Sequence, residues 1–290
     1  MKHSLRTNHS IYAMQYKTEL GGESGAGPVS SLFPELRLKS VSYEDLAVFL
    51  ASARNSDFWL SKETIHIWKI INKGQTVPSG YLALLSEDEK KRASLMSTPL
   101  LKSSFLYFRI FLRCLLSLYV GSGPQELCFS YNDYGKPKLG SENIFFNISH
   151  SGDLAVAAFS GCNELGVDIE RVRPVPEAVE IARNSFSRIE TRWISAVEGM
   201  ERYKRFLRCW VIREACVKAI GTGLSMPLNS FEVQLPEMAG INQKGSLYGR
   251  PFVVGLDSEH RLLVREFFLD DSYLGALAVL HKHPNFLLSC

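Results

Sequence analysis

The chain lacks the sequence signatures of several large classes of protein. Its six cysteines include no Cys-x-x-Cys pair, which argues against a structural zinc site and a disulfide framework and makes a reducing cytoplasm the expected location. No P-loop and no Gly-x-Gly-x-x-Gly fingerprint occurs, so the common ATP- and NAD-binding folds are disfavoured. Residues 1–15 contain no apolar segment of the kind that a secretory signal requires.

The chain also has little that suggests a membrane or nucleic-acid partner. Its most apolar stretch, residues 105–120, carries Arg109 and Arg113 and is shorter than the roughly 20 residues that a membrane helix needs. This stretch therefore predicts a buried helix. The formal net charge is only +3 over 290 residues, which does not indicate nucleic-acid binding, although it suits an acidic substrate or partner.

Turn residues and hydrophobic periodicity divide the chain into four parts. Residues 1–62 include a glycine-rich segment and predict an N-terminal extension that could be flexible. Residues 63–162 and 163–283 each predict helices followed by antiparallel strands, and residues 284–290 form a tail. The pattern is that of an α+β fold built from two similar halves. Helices are predicted at 42–53, 86–96, 101–119, 176–197 and 205–220, and strands at 65–70, 127–131, 144–149, 154–159, 165–170, 231–235, 252–256, 262–268 and 274–280.

Acidic residues in two segments form the first candidate site. Asp168 and Glu170 are two positions apart in an apolar strand and therefore point to the same face. Glu214 and Lys218 lie one helical turn apart, with the apolar or small residues 215–217 between them. Each pair alone is more often a solvated strand face or a surface ion pair. Together they suggest Mg²⁺ holding a phosphate, because Mg²⁺ prefers oxygen ligands and takes phosphate oxygens from substrates.

Two further segments could contact phosphate. Ser149 and His150 end a predicted strand, and hydroxyls, imidazole and nearby backbone amides can bind phosphate oxygens. The alternative is a hairpin turn in which these side chains satisfy only local backbone. A serine hydrolase is disfavoured because no Gly-x-Ser-x-Gly elbow surrounds the serine. Lys136 is presented by a turn that Pro137 holds extended, although a lysine in such a turn is usually just solvated.

Taken together, the four motifs resemble the 4′-phosphopantetheinyl transferase family, in its larger, pseudo-dimeric subclass of the surfactin synthetase activator type. Their order and spacing agree with the family over roughly residues 64–283. The matching motifs are Tyr134-Gly135-Lys136-Pro137, Phe146-Asn147-Ile148-Ser149-His150-Ser151-Gly152, Gly166-Val167-Asp168-Ile169-Glu170 and Trp210-x-x-Arg213-Glu214-Ala215-x-x-Lys218, the last followed by Gly221-x-Gly223-Leu224.

The resemblance implies a fold and a reaction. Two similar α+β halves would pack as an intramolecular pseudo-dimer, a monomer with its active site in the cleft between the halves. The enzyme would transfer the 4′-phosphopantetheine group of coenzyme A, in the presence of Mg²⁺, to a serine of an apo acyl, polyketide or peptidyl carrier protein. Adenosine 3′,5′-bisphosphate would be released.

The resemblance also implies roles for individual residues. Asp168, Glu170 and Glu214 would hold Mg²⁺, and Glu214 would also be the base for the carrier serine. Lys218 would balance charge on the phosphoryl oxygens. Glu190 matches a further acidic position of the family, to which no role is assigned. The remaining expected contacts with coenzyme A come from Lys136, Pro137, Ser149, His150, Arg92 and Lys102, with His150 also expected to take part in catalysis.

The basic arm that clasps the 3′-phosphate of coenzyme A in the family corresponds to residues 92–113 here and is thin in this sequence. Arg92 and Lys102 are present, but Ser103 and Ser104 carry no charge. This departure keeps a second hypothesis open, a non-catalytic regulator that binds a carrier protein or coenzyme A. A third hypothesis is a phosphodiesterase, which would use the same metal with water as the nucleophile.

Overall fold

The structure, a computed structural model, describes residues 34–42, 58–62, 64–72, 74, 77–140, 144–233, 235, 251–255 and 261–281. Two four-stranded sheets and five helices make up most of this part of the chain, which confirms the predicted α+β class. The strands are β1 (Glu35–Ser42), β2 (Thr64–Ile71), β3 (Phe129–Tyr131), β4 (Pro137–Leu139), β5 (Phe145–Ser151), β6 (Leu154–Ser160), β7 (Leu165–Arg171), β8 (Phe252–Gly255), β9 (Arg261–Asp270) and β10 (Tyr273–His281). The helices are α1 (Glu87–Ser94), α2 (Pro99–Val120), α3 (Ala178–Ser185), α4 (Arg188–Ser195) and α5 (Gly199–Ile220).

The first sheet has the strand order β1-β2-β6-β5, and the second has the order β7-β10-β9-β8. Strands β1 and β2 are parallel, and all other pairs in the two sheets are antiparallel. One apolar cluster joins α2 to the first sheet, another joins α5 to the second sheet, and a third contains residues of both sheets. The two sheets therefore share a core and carry their long helices on their other faces.

Strand β1 was not predicted and corrects the picture of residues 1–62 as an extension. Its residues pair with β2 from Glu35 opposite Thr64 to Ser42 opposite Ile71, so 35–42 are part of the first sheet. The alternation of Leu36 and Leu38 with charged neighbours is the signal that could have found it. Ser42 is the last residue of this strand, and the rest of the helix predicted at 42–53 lies outside the described residues.

Several predicted helix bounds also differ from the structure. The single helix predicted at 176–197 is two helices, because Ser187 caps the start of α4 through a capping box with Glu190. Helix α2 has 22 residues, so the prediction that this apolar segment is too short for a membrane was wrong: by length and composition it could cross one. It is nevertheless a core helix, with ten of its residues buried. The described residues 231–233 and 235 form no strand, against the prediction at 231–235.

The same succession of elements occurs twice in the described chain. Strand β2, helices α1 and α2, and the hairpin β5–β6 are matched by β7, α4, α5 and the hairpin β9–β10. The strand orders β2-β6-β5 and β7-β10-β9 correspond. Helices α2 and α5 each have 22 residues and end at a glycine with positive φ, Gly121 and Gly221. This repetition supports two similar halves, while their boundaries and their relation as a pseudo-dimer stay predictions.

Gly166 determines how closely α5 approaches the second sheet. A Cβ atom at this position would overlap the main chain of Ala215 and Ala219, so only glycine allows the helix to lie this close to β7. Residues 168 and 170 follow on the same face of the strand. The close approach therefore brings their side chains to α5, which carries Glu214 and Lys218.

Candidate active site

The two acids of β7 are sheltered rather than exposed. Asp168 is only 5% exposed, and Glu170 is partly buried. Their neighbours Val167 and Ile169 point to the other face and belong to the core shared by the two sheets. The arrangement rules out a solvated strand face for Asp168 and places both carboxylates on the face that meets α5.

Lys218 makes its ion pair with Asp168 rather than with Glu214. Its Nζ atom lies 2.6 Å from Oδ1 of Asp168 and donates a second hydrogen bond, of 3.2 Å, to Oγ of Ser149. The surface pair between Glu214 and Lys218, the simpler sequence interpretation, is therefore not the arrangement found. The ammonium of Lys218 offsets the free-energy cost of burying the carboxylate of Asp168, which would be high without a partner.

Glu214 lies in a negative electrostatic environment. Burial raises the pKa of its carboxyl group, the charge of Asp168 raises it further, Lys218 opposes the shift, and Glu170 adds to it. Since like charges nearby disfavour ionisation, the charges of Asp168 and Glu170 act on the pKa of Glu214 in the same direction as its burial. Within the described part of the chain, Glu214 has no hydrogen bond or ion pair of its own, and its side chain is half-buried.

Two serines of β5 contact the acids of β7. Ser149 donates a 2.6 Å hydrogen bond to Oδ1 of Asp168, and Ser151 donates a 2.7 Å bond to Oε2 of Glu170. Both hydroxyls are thus engaged with protein in this structure, including that of Ser149, which was predicted to contact coenzyme A.

His150 lies next to this cluster on the opposite face of β5. Its ring stacks on Phe108 of α2, with 5.7 Å between the ring centroids. Desolvation lowers the pKa of His150, the positive charge of Lys218 lowers it further, and Asp168 opposes the shift. The charges of the site therefore affect the pKa of the imidazole, although no hydrogen bond joins them within the described residues. The side chain of His150 is exposed to solvent.

Lys136 is placed away from the acids, in the turn between β3 and β4. Its Nζ atom is buried and donates to Oε2 of Glu164 at 2.8 Å and to the carbonyls of Leu165 at 3.1 Å and Ala219 at 3.0 Å. Burial lowers the pKa of Lys136, and Glu164 opposes the shift. All three hydrogens of the ammonium are in use, so a contact with phosphate would require these bonds to break.

The turn that carries Lys136 caps the C-terminus of α5. Asn132 donates from Nδ2 to the carbonyl of Gly221 at 2.7 Å, and Lys136 bonds the carbonyl of Ala219. These are carbonyls that a helix end leaves without intrahelical partners, and a cation there is favoured by the helix dipole. Pro137 begins β4 opposite Tyr131. The geometry gives this motif a structural role.

The predicted basic arm is only partly available. Arg92 and Lys102 are exposed, on α1 and α2 respectively, and neither forms an ion pair within the described residues. Arg109 and Arg113 instead bond the buried carboxylate of Glu89. Two arginines of the arm therefore stabilise the packing of α1 on α2.

Some residues around the site were missed by the sequence analysis. Asn132 could have been found, because Asn-Asp-Tyr-Gly at 132–135 is a turn signal and Asn side chains often bond the backbone of such turns. Glu164, the partner of Lys136, gives no local signal. The contact joins residues 28 positions apart, and only the folded chain brings them together.

The donor set suits Mg²⁺, although it does not form a preformed cage. Among the described residues, no group of three His, Cys, Asp or Glu side chains is placed to hold a metal ion as it stands. Mg²⁺ usually takes one or two carboxylates and completes its shell with water and substrate phosphate. The raised pKa of Glu214 between acidic neighbours and the ammonium of Lys218 on Asp168 both indicate a site that favours positive charge.

Comparisons with known proteins agree with this chemistry. A sequence model of the 4′-phosphopantetheinyl transferase superfamily matches residues 164–269. The chain is 31% identical over 181 residues to the 4′-phosphopantetheinyl transferase HetI of Nostoc sp., covering 61% of this chain and 76% of that protein. It is 30% identical over 178 residues to the 4′-phosphopantetheinyl transferase Sfp of Bacillus subtilis, covering 61% of this chain and 73% of that protein. The chain therefore belongs to the 4′-phosphopantetheinyl transferase superfamily, in the subclass that includes Sfp, and is an enzyme of that class.

Proposed function

We propose that this protein transfers the 4′-phosphopantetheine group of coenzyme A to a serine of an apo carrier protein in a Mg²⁺-dependent reaction. The observation that carries the proposal is the meeting of the acids of β7 with Glu214 and Lys218 of α5. The names of the relatives HetI and Sfp, both 4′-phosphopantetheinyl transferases, support the reaction class. We further propose a monomer that acts in the cytoplasm, without a membrane or nucleic-acid partner.

In this proposal Asp168, Glu170 and Glu214 hold the metal ion. When bound there, Mg²⁺ would neutralise charge on the pyrophosphate of coenzyme A and polarise the phosphorus under attack. Because Lys218 and Ser149 already bond the same oxygen of Asp168, the second carboxylate oxygen is the one left for a cation.

The acceptor serine loses its proton to the protein as it attacks. Its oxygen bonds to the phosphorus that carries the pantetheine, and the bond to the bridging oxygen breaks, releasing adenosine 3′,5′-bisphosphate. Glu214, directly or through a water molecule, accepts the proton. Burial and the charge of Asp168 raise the pKa of Glu214, and a carboxylate whose pKa is closer to neutrality is a stronger base. Lys218 stabilises the charge that develops on the phosphoryl oxygens.

Coenzyme A would be bound by residues on both sides of this cluster. His150, whose exposed ring lies beside Phe108, would contact its phosphates and assist catalysis, and Ser149 would contact the phosphates as well. The exposed cations Arg92 and Lys102 would reach the 3′-phosphate. For Lys136 and Pro137 we propose an indirect contribution, since the Lys136 ammonium is committed to Glu164 and two carbonyls and holds the end of α5.

Mass spectrometry of an apo carrier protein tests the proposal directly. After incubation with the enzyme, coenzyme A and Mg²⁺, the carrier should gain the mass of one phosphopantetheine group. Glu214→Gln should abolish the gain while coenzyme A still binds. Glu201→Gln is a matched control, because Glu201 lies on the same helix but pairs with Arg205 at the surface, and it should transfer normally. Undiminished transfer by Glu214→Gln would exclude Glu214 as the base.

The same experiment tests the second candidate, a non-catalytic regulator. The observation in its favour is that Arg109 and Arg113 are committed to Glu89, which leaves a thin basic arm for the 3′-phosphate. Coenzyme A binding without any change in mass, across several carrier proteins, would support the regulator. Cleavage of coenzyme A without carrier modification would instead support a phosphodiesterase.

A further inference from the structure

Strand β7 has one edge that no strand pairs with in the described chain. Its other edge pairs with β10, and the free edge faces β5, one of the two edge strands of the first sheet. The two strands run side by side in the same direction, because positions 147, 149 and 151 of β5 contact positions 167, 169 and 171 of β7. The hydrogen bonds of these contacts join side chains of β5 to the backbone of β7 and are not backbone–backbone bonds.

Alternate side chains of β5 accept hydrogen bonds from the backbone of β7. The Oδ1 atom of Asn147 accepts from the N–H of residue 167 at 2.9 Å. The Oγ atoms of Ser149 and Ser151 accept from the N–H groups of residues 169 and 171 at 3.4 Å and 3.1 Å. These backbone donors would otherwise be left without partners at the edge of the sheet, which is costly when buried.

The backbone bond determines where each serine hydrogen goes. A hydroxyl group has a single hydrogen to donate, and in both serines the oxygen already accepts from a backbone N–H. The hydrogen is donated to a carboxylate in each case, from Ser149 to Asp168 and from Ser151 to Glu170. Each serine therefore links the main chain of β7 to an acid of the same strand.

The contact between Asn147 and the backbone of residue 167 differs from those of the two serines. Asn147 accepts from the backbone just as the serines do, but the residue of β7 next to its partner on that face is Gly166, which has no side chain to orient. Strand β5 thus has a hydroxyl side chain at the two positions, 149 and 151, that lie next to a carboxylate of β7.

We propose that Ser149 and Ser151 are positioning residues that fix the orientation of Asp168 and Glu170 for a divalent cation. The inference rests on the proposed function in so far as those acids are its metal ligands. Hydrogen bonds of this kind determine which carboxylate oxygens face the ion, and losing one typically weakens metal binding by 10–100-fold. The role differs from a direct phosphate contact, because its loss acts on the cation first.

Ser151→Ala is the sharper test of the two serines. Ser149 also accepts a hydrogen bond from Lys218, so its removal would disturb the ammonium as well. Ser151 bonds only Glu170 and the N–H of Arg171 among the described residues. Ser160→Ala is the matched control. The hydroxyl of Ser160 also accepts from backbone N–H groups, those of Cys162 and Asn163, but it bonds no carboxylate among the described residues.

Mn²⁺ titration followed by electron paramagnetic resonance, with and without coenzyme A, measures the effect without relying on turnover. We expect Ser151→Ala to bind Mn²⁺ about 10-fold or more weakly than the wild type and to require more Mg²⁺ for half-maximal transfer. Ser151→Thr keeps the hydroxyl and should restore wild-type affinity. Ser160→Ala should bind Mn²⁺ as the wild type does, even if it is equally destabilised.

The outcomes separate this inference from the proposed function. Unchanged Mn²⁺ affinity in Ser151→Ala, or an equal loss in Ser160→Ala, overturns the positioning role even when the wild type modifies a carrier protein. A wild type that binds no Mn²⁺ under either condition also overturns it. A wild type that fails to modify any carrier protein, while Ser151→Ala selectively loses Mn²⁺ affinity, contradicts the proposed transfer and upholds the positioning role.

Discussion

Replacing Glu190 by glutamine should cost stability and leave catalysis intact. Both Glu190 and Arg213 are fully buried, with 0% of either side chain exposed. Nε of Arg213 donates to Oε1 of Glu190 at 3.1 Å, and Nη2 donates to Oε2. Nη1 donates to the carbonyls of Leu228 and Phe231. Nearly all the donors of the guanidinium are therefore satisfied inside the protein, and its charge is balanced only by Glu190 among these contacts.

The size of the effect follows from that burial. Glutamine keeps one carbonyl oxygen but removes the negative charge, so Arg213 is left as a buried cation without a counter-ion. Breaking a buried pair on one side costs about 3–5 kcal/mol, which corresponds to a fall in melting temperature on the order of 10 °C for a chain of this size. Glu190 also accepts from the N–H of Ser187 in the capping box of α4, and a weaker bond there adds to the loss.

The first half contains a matched control in Glu89. This residue is 4% exposed, closes the capping box of α1 with Ser86, and accepts at 2.7 Å from Nε of Arg113. Nη1 of Arg113 donates to the carbonyls of Pro124 and Leu127, as Arg213 does to its own two carbonyls. Glu89→Gln should therefore lose a similar amount of stability. The somewhat less complete burial lessens the loss, whereas Arg109, a second cation bonded to Glu89, adds to it.

Thermal or urea unfolding measures the loss, and carrier modification at a temperature well below the transition measures kcat. We expect both variants to unfold more easily and to keep wild-type kcat. If Glu190→Gln kept its stability but lost transfer, Glu190 would act in the reaction, and the structural interpretation of this family position would be wrong.

Two further perturbations test the core and the site. Burial lowers the pKa of His66 to about 3 from 6.5. Below pH 6.5 the unfolded chain therefore binds a proton that the native protein does not. The free energy of unfolding should then fall by about 1.4 kcal/mol for each pH unit, down to about pH 3. Urea unfolding across pH should show a shallower slope in His66→Gln, and an unchanged slope would contradict the buried neutral histidine. Gly166→Ala should push α5 away from β7, costing about 1–3 kcal/mol and lowering kcat. Gly140→Ala, where an added Cβ meets nothing within 4 Å, should do neither, and wild-type kcat in Gly166→Ala would refute the role of the close approach.

Local periodicity was enough to predict which of the acidic and basic side chains share a face. Asp168 and Glu170 share a face because side chains alternate along any strand, and Glu214 and Lys218 share one because they are a helical turn apart. What periodicity could not predict is the choice of partner. Lys218 pairs with Asp168, 50 positions away, rather than with Glu214, since the glycine at 166 brings helix and strand into contact.

Long-range contacts explain the other differences from the sequence predictions. The ammonium of Lys136 is enclosed by Glu164 and by carbonyls at 165 and 219, which a turn motif with an extended proline does not reveal. Strand β1 is held by parallel pairing with β2 across a segment of some 20 residues. The break between α3 and α4 was the exception, because the Ser-x-x-Glu capping box at 187–190 is a local signal.

The repeated architecture explains why the described chain has one such acid site rather than two. Helix α5 begins and ends 100 residues after α2, and at the same spacing β7 follows β2 with its core-facing residues in register. The first-half counterparts of the four site residues are all apolar or small and belong to, or pack against, the core under α2. They are Trp68 for Asp168, Ile70 for Glu170, Cys114 for Glu214 and Leu118 for Lys218. The counterpart of Gly166 is His66, whose Nδ1 atom bonds Tyr119 of α2 at 2.7 Å, so a side chain fills the space that the second half leaves for close contact. A buried carboxylate is unfavourable unless it is bonded, and the second half retains Asp168 with Lys218 and Ser149 as its partners. In the first half the same positions belong to the hydrophobic core or pack against it, which stabilises the fold and leaves no carboxylate there for a second site.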